Sequence, residues 1–553
     1  MFCSRRSLFR TFLCSALCLL SFSPALACTD VVVGRDASVD GSVMTCHTAD
    51  GAYYDAQIRF SPGQKFPSGT NMDVYRNIVG EEPGGWIKVG EIPQAPETYG
   101  YFHVGYPAMN EHRVAIGETT IGQKEILKTM PGGRALLAIE QLEVLALQRA
   151  KTAREAIQVI GELSQKYGFM PSCGTEGECL TITDPDEAWI FHVFSTGFGW
   201  TPESGRPGSV WAAQRVPDDE VFVAANRARL RHLDLTDKEN VMHCPDLVDF
   251  AVKNGFIEAK DVNEKDFSPA DVYSPSTELY STRREWRVLS LLAPESFKMG
   301  PDEYDYPMSV KPDRKLTVQD LFMIKGDWYA GTSFDLSQGI QAGPWGNPIR
   351  FANSSKENPD ASWERSINMM RTCYVHIAQV RGDLPEEVRG ISWYGYGAPD
   401  TTYITPLWPI MRALPPLYSI GDRFHPYDPK SGWWTCTRVQ EIAGLRYQDA
   451  REEIHKARDA KLKPLYLQAP LIQNAAAQLI KDGKRDDAID LITDFAYSHA
   501  TDWHDRWQSL GDRLLSKYAL GYTDVKATPY PEWWNKTVGF DTLRRSSKEA
   551  PKK

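Results

Sequence analysis

Three pairs of β-forming runs, each joined by a short turn, constrain the fold of this chain more than any other sequence feature. The first pair is residues 29–33 and 42–47, with Asp40-Gly41 in the turn between them. The second is "ECLTIT", the turn "DPDE" and "AWIFHVF", and the third is "SVWAAQRV", the turn "PDD" and "VFVAANR". Because strands joined by short turns pair with each other, the pattern predicts antiparallel sheet.

Helical periodicity marks two other parts of the chain. The segments "RALLAIEQLEVLALQRA" and "TAREAIQVIGELSQKYG" repeat apolar residues at three- and four-residue spacing, and the second ends on Gly168, a helix-ending residue. Residues 468–518 show the same period. Residues 264–440 are rich in Pro, Gly and aromatic side chains without a clear period, so we expect irregular loops and short strands there. The predicted fold class is α+β with a helical C-terminal part.

The first 27 residues have the three parts of a secretory signal. Arginines 5, 6 and 10 precede an apolar stretch at 12–22, and Ala25-Leu26-Ala27 fits the small-x-small pattern that a signal peptidase cuts. No later stretch approaches 18 uninterrupted apolar residues. We therefore expect an exported protein, periplasmic or secreted, without stable membrane insertion.

Composition and motifs narrow the function classes. The net charge of −10 argues against nucleic-acid binding and suits small substrates. The chain has no phosphate-binding or dinucleotide glycine motif, no H-E-x-x-H and no paired C-x-x-C, so no cofactor or metal is expected. Three of the ten cysteines lie in the signal and seven remain, an odd number that indicates at least one thiol with a special use. Cys173 and Cys179 are the pair expected to form a disulfide.

Cys28 directly follows the expected cleavage site. Cleavage there would put a thiol and an α-amino group on one residue, and an α-amine with a pKa of roughly 7.7–8.0 can accept the thiol proton near neutral pH. Two other interpretations stay open. Cys28 could be half of a disulfide, or the acylated residue of a lipoprotein, although lipoproteins normally carry Leu three residues before this Cys and the chain has Ala25.

The segment "CTDVVVGRDASVDGSVMTCHTADG" resembles the opening of the C69 dipeptidases, N-terminal-nucleophile hydrolases related to choloylglycine hydrolases, penicillin V acylases and secernins. The blocks "AMNEHRVAIGETTIG", "GECLTITDPDEAWIFHV", "VFVAANRARL", "STRREWRVL", "GTSFDLSQGIQAGPWGNPIRF" and "WYGYGAPDTTYITPLW" are also similar, and the resemblance runs from Cys28 to about residue 525. It implies a four-layer αββα sandwich. The expected division is a signal at 1–27, the hydrolase core with insertions at 28–440, a helical part at 441–525 and a tail at 526–553.

Carried over by position, the resemblance implies three principal site residues. Cys28 matches the nucleophile, Asp50 the carboxylate that holds the α-amine, and Asn226 the oxyanion donor. Relatives usually carry Arg three residues before this Asp, where the chain has His47, so His47 is the candidate for the cationic partner.

Further site residues follow from the same resemblance. Arg284 and Arg287 of "RREWR" match a paired arginine motif, with Arg287 expected in the catalytic site and Arg284 as a substrate-binding candidate. Thr119 and Thr120 fall where some acylases line the pocket, and Glu178 is a candidate for binding a substrate amine.

The expected function is hydrolysis of dipeptides by the Cys28 thiolate through a thioester, with small peptides as partners and a homo-oligomer permitted. Two alternatives stay open: an N-acyl amide hydrolase like the acylase relatives, and a lipoprotein binding module acylated on Cys28.

Overall fold

A computed structural model describes residues 28–51, 54–76, 78–79, 86–129, 133–171, 176–351, 357 and 363–539. The signal segment, Cys173 and the end of the tail lie outside these residues. The strands, in chain order, are β1 (Asp30–Val33), β2 (Ser42–Ala49), β3 (Arg59–Ser61), β4 (Gln64–Lys65), β5 (Asn71–Arg76), β6 (Ile87–Pro93), β7 (Glu97–Thr98), β8 (Tyr101–His103), β9 (Met109–Asn110), β10 (Ala115–Ile121), β11 (Leu137–Ala138), β12 (Phe169–Met170), β13 (Gly177–Thr183), β14 (Ala188–Phe194), β15 (Val210–Val216), β16 (Val221–Ala224), β17 (Val241–His243), β18 (Ser309–Val310), β19 (Tyr374–Arg381), β20 (Gly390–Tyr396), β21 (Thr405–Leu407), β22 (Tyr522–Thr523) and β23 (Lys526–Ala527). The helices are α1 (Ile139–Arg149), α2 (Ala153–Tyr167), α3 (Leu247–Lys253), α4 (Pro269–Tyr273), α5 (Leu279–Leu292), α6 (Val318–Lys325), α7 (Gly432–Ala443), α8 (Tyr447–Lys481), α9 (Arg485–Tyr518) and α10 (Glu532–Thr537).

Two large antiparallel sheets form the centre of the molecule. One has the order β18-β16-β1-β2-β19-β20-β21, and the other has the order β17-β15-β14-β13-β10-β9-β8-β3. β2 of the first sheet contacts β10 and β13 of the second. Helices α5, α6, α7 and α9 pack on the first sheet, and α2 packs on the second with α1 beside it. The predicted α+β class is confirmed.

Two of the three predicted strand pairs are hairpins in the structure. β1 pairs with β2 and β13 pairs with β14. The third prediction is wrong, because β15 lies in the second sheet whereas β16 pairs with β1 in the first. All four residues of β16 are buried, and the short connection at 217–220 carries the chain from one sheet to the other. This crossing brings the end of β16 beside the start of β1.

The predicted helices are present with shifted bounds. α2 begins after Thr152, whose side chain accepts a hydrogen bond from the backbone N–H of Glu155, and ends at Gly168 with φ of +79°. The expectation of irregular structure at 264–440 is wrong, since α5 and the two long central strands β19 and β20 lie there.

The C-terminal helices α7, α8 and α9 contact one another, and α7 runs across the expected boundary at residue 440. Of the expected tail, residues 526–539 include β23 and α10, and the remainder lies outside the described residues. Within the described part of the chain, none of the helices has the length and apolar character needed to cross a bilayer.

Asp400 joins α8 to the rest of the fold through a buried ionic network. Its carboxylate pairs with Arg451 at 2.8 Å and His455 at 2.9 Å, and it accepts hydrogen bonds from Trp328 Nε1 and the Tyr447 hydroxyl. Burial alone would raise the pKa of Asp400, but His455 and Arg451 hold it well below its usual range. The carboxylate is therefore ionised in the folded protein.

We expect Asp400→Asn to lower the free energy of unfolding by about 1–3 kcal/mol, because the half-buried Arg451 and His455 would lose the buried carboxylate that they contact. Thermal unfolding should show an apparent Tm lower by several degrees. Asp486→Asn is the matched control, since the Asp486–Arg412 pair is exposed and should be worth less than about 1 kcal/mol. Equal losses for the two variants would contradict a stabilising role for the buried network.

Candidate active site

Cys28 lies two residues before β1, a central strand of the first sheet, and is 1% exposed. Arg284 Nη1 donates to the Cys28 carbonyl oxygen at 2.8 Å and to Thr29 Oγ1 at 3.0 Å. The Thr119 hydroxyl from β10 of the facing sheet donates to the same carbonyl at 3.5 Å. Groups from α5 and from the second sheet thus fix the backbone of Cys28.

Asn226 follows β16 and lies beside Cys28 because Ala224 at the end of β16 is paired with Asp30 at the start of β1. Its φ of +62° is in the left-handed region, which Asn tolerates better than most residues. Its Oδ1 accepts from Arg284 Nη2 at 2.8 Å, while Nδ2 donates to Thr119 Oγ1 at 3.0 Å and to the Thr120 carbonyl at 2.9 Å. An oxyanion would have to share one of these amide hydrogens.

Asp50 follows β2 and is fully buried. The Thr372 hydroxyl donates to its Oδ1 at 2.6 Å, and Arg371 Nε donates to its backbone carbonyl at 3.1 Å. Burial raises the pKa of Asp50 to about 7, against the opposing effects of the Thr372 hydrogen bond and the positive charges of Lys325, Arg284 and Arg371.

The Cys28 thiol lies in the same buried, acidic surroundings. Burial, followed by the charges of Glu118 and Asp50, raises the pKa of the thiol well above its usual value, and a hydrogen bond from the Asp50 backbone opposes this shift. A thiol in this state is a poor nucleophile until a positive charge or a base is placed next to it.

His47 does not contact Cys28. Its Nδ1 lies 2.9 Å from Asp30 Oδ1, and its ring packs against Tyr106 and Tyr374. Both members of the His47–Asp30 pair are buried. His47 is thus the partner of the Asp30 carboxylate, and its role as the cationic partner of the amine stays a prediction.

The two arginines of the "RREWR" motif have different contacts. Arg287 Nε and Nη2 form a bidentate pair with Asp327, at 2.8 Å each. Arg284 is completely buried and contacts both Cys28 and Asn226. Arg284 therefore links the backbone of Cys28 to the side chain of Asn226, whereas a catalytic role for Arg287 stays a prediction.

Lys325 is a site residue that the sequence analysis missed. It is the last residue of α6, is fully buried, and donates from Nζ to the Thr29 carbonyl. Its charge lowers the pKa of Asp50 and of Asp30, both raised by burial. A lysine ending the apolar run "LFMIK" is the sequence signal that could have identified it.

Thr120 and Glu178 are register partners on β10 and β13. Side chains alternate along a strand, so they face away from Thr119, which contacts Cys28 and Asn226. Glu178, the candidate for binding a substrate amine, is completely buried in β13. Cys179 is a free, buried thiol, whereas its expected partner Cys173 lies outside the described residues. Among the described residues, no group of three or more His, Cys, Asp or Glu side chains is arranged to hold a metal ion.

Comparison with known proteins assigns the chain to a family. The model of peptidase family C69 matches residues 27–460. A "Probable dipeptidase" of Latilactobacillus sakei is 27% identical over 68% of this chain and 72% of its own length, and one of Salmonella dublin is 26% identical over 74% and 86%. A "Dipeptidase" of Bifidobacterium longum (strain NCC 2705) is 25% identical over 70% and 72%. The chain belongs to peptidase family C69.

Proposed function

We propose that this chain is an exported dipeptidase that uses Cys28 as an N-terminal nucleophile. The observation that carries the proposal is the buried Cys28, with its carbonyl bound by Arg284 and its thiol beside the Asp50 backbone, in a chain whose relatives are named dipeptidases. The two facing sheets with helices packed on each support a four-layer αββα sandwich.

Removal of residues 1–27 would activate the site. In the uncut chain the surroundings hold the pKa of the Cys28 thiol above its usual value. Cleavage after Ala27 would create an α-amine on Cys28, with an ordinary pKa of roughly 7.7–8.0. This amine would accept the thiol proton, and the resulting ammonium would stabilise both the thiolate and the Asp50 carboxylate. Export and activation would then be one event.

The reaction would proceed in two halves. The thiolate attacks the carbonyl carbon of the peptide bond, and the oxyanion is stabilised by Asn226 Nδ2 in exchange for its contact with Thr119. The C–N bond breaks as the α-ammonium returns its proton to the leaving amine, which departs as an amino acid and leaves a thioester. Water, deprotonated by the same amine, then attacks the thioester and releases the second amino acid with the free thiol.

A panel of dipeptides, tripeptides and N-acyl amino acids tests this proposal. We expect the protein that begins at Cys28 to hydrolyse dipeptides, to lose activity after thiol alkylation and to keep it in the presence of EDTA. Hydrolysis of N-acyl amino acids alone would favour the acylase alternative. A mass at the mature N-terminus corresponding to diacylated Cys28 would favour the lipoprotein alternative and refute the proposal.

A further inference from the structure

Three guanidinium groups, those of Arg284, Arg365 and Arg371, lie near one another on the side of the site where Arg284 contacts Cys28. The Arg284 and Arg365 guanidiniums lie 5.6 and 4.0 Å from the centre of the Tyr280 ring. Arg371 donates to the backbone carbonyl of Asp50, and its charge and that of Arg284 both act on Arg365. Arg284 is buried, whereas Arg365, Arg371 and Tyr280 are half-buried. These three therefore lie nearer the surface than Cys28.

Arg365 differs from the neighbouring arginines in its charge environment. Arg283 pairs with Asp302 and Glu364, and Arg287 pairs with Asp327. No carboxylate among the described residues forms an ion pair with Arg365. Burial, with a smaller contribution from the charges of Arg284 and Arg371, lowers its pKa to about 10 against the opposing effect of Tyr280, so it remains a cation at neutral pH. A partly desolvated guanidinium such as that of Arg365, with other guanidiniums nearby, is stabilised when an anion binds next to it.

We propose that Arg365 and Arg371 form a subsite for the C-terminal carboxylate of the substrate. This inference rests on the proposed dipeptidase function and specifies which end of the dipeptide the protein recognises. A guanidinium is suited to this role, because its parallel N–H groups match the two oxygens of a carboxylate.

The length of a dipeptide fits this arrangement. Only one residue separates the scissile bond from the terminal carboxylate, which puts the carboxylate within about 4–5 Å of the carbon under attack. A carboxylate subsite must then lie close to the nucleophile. Arg371 meets this condition through its contact with Asp50, and Arg365 shares the Tyr280 ring with Arg284. In a longer peptide the same position holds an uncharged peptide group, which cannot form an ion pair with Arg365. The subsite therefore explains why dipeptides would be preferred.

Paired substrates test the subsite: the dipeptide that the protein cleaves best, and the same dipeptide with its C-terminus converted to a carboxamide. For the wild-type protein we expect kcat/KM to be about 10- to 100-fold higher for the free acid than for the amide. Arg365→Met should remove most of this difference by lowering kcat/KM for the acid by a similar factor. Its activity towards the amide should change by less than about 3-fold, which also shows that the variant is folded.

Arg350→Met is the matched control, since Arg350 also faces an aromatic ring, that of Trp363, but donates to the backbone carbonyls of Asn347, Ile349 and Leu336. It should leave the acid-to-amide ratio unchanged. Equal hydrolysis of acid and amide by the wild type, or equal loss of both in Arg365→Met, would overturn the subsite and leave the dipeptidase proposal standing. Hydrolysis of neither substrate by the wild type would overturn the dipeptidase proposal and the subsite with it.

Discussion

Replacing Cys28 by Ala is expected to lower kcat/KM for dipeptides by ~10⁴-fold or more, because the variant has no group that can form the thioester. The fold should persist, since the substitution removes one buried sulfur and leaves the contacts of the Cys28 carbonyl with Arg284 and Thr119 in place. Initial rates on the best dipeptide, together with the Tm, separate these two effects. Cys436→Ala is the matched control, as Cys436 is another buried free thiol, located on α7.

The position of the amine provides a second test of the same residue. A chain that keeps Ala27 in front of Cys28 retains the thiol but moves the α-amine by one residue, about 3.8 Å along the chain. We expect such a protein to be as inactive as Cys28→Ala, and we expect activity to appear when the extra residue is removed by a protease. Full activity in a chain that still carries residues before Cys28 would contradict an N-terminal nucleophile.

Local sequence was sufficient for elements whose partners are close in the chain. β13 and β14 are joined by a short turn, and α2 carries its own N-cap Thr152 and ends at Gly168. It was insufficient where the partner is distant. β16 follows β15 by a short turn yet pairs with β1, almost 200 residues earlier. β19 and β20 are central strands buried on both faces, so they lack the alternation of apolar and polar residues that reveals a half-exposed strand.

The same distinction applies to the site. Cys28, Asp50 and Asn226 were candidates because each matches a block of the family resemblance, and the pairing of β1 with β2 and β16 brings the three residues close together. Their catalytic roles stay predictions. The contacts of Arg284 and Arg287 could not be predicted from the sequence. The two residues are three positions apart on α5, and only the packing of α5 decides which of them faces β16 and which faces Asp327. Lys325 lies almost 300 residues from Cys28 and reaches the site only through the packing of α6 against β2.

Replacing Lys325 by Met is expected to lower kcat/KM at pH 7 by ~10²–10³-fold. Lys325 is fully buried near Asp50 and Asp30, and its positive charge lowers the pKa of both carboxyl groups. Without it the pKa of Asp50, already raised to about 7 by burial, would rise further. Asp50 would then be protonated and neutral at pH 7 and could no longer hold the ammonium form of Cys28.

The sign of this effect makes it distinguishable from simple loss of structure. A carboxyl group is active in its ionised form, so a higher pKa moves the acidic limb of the pH profile of kcat/KM to higher pH. Lys325→Met should therefore recover part of its activity between pH 8 and 9, which a misfolded protein would not do. Lys325→Arg keeps the charge and should keep the wild-type acidic limb. Lys311→Met, at an exposed lysine paired with Asp219, should have no effect on the profile. An unshifted acidic limb in Lys325→Met would show that Arg284 or Arg371, not Lys325, provides the charge that Asp50 requires.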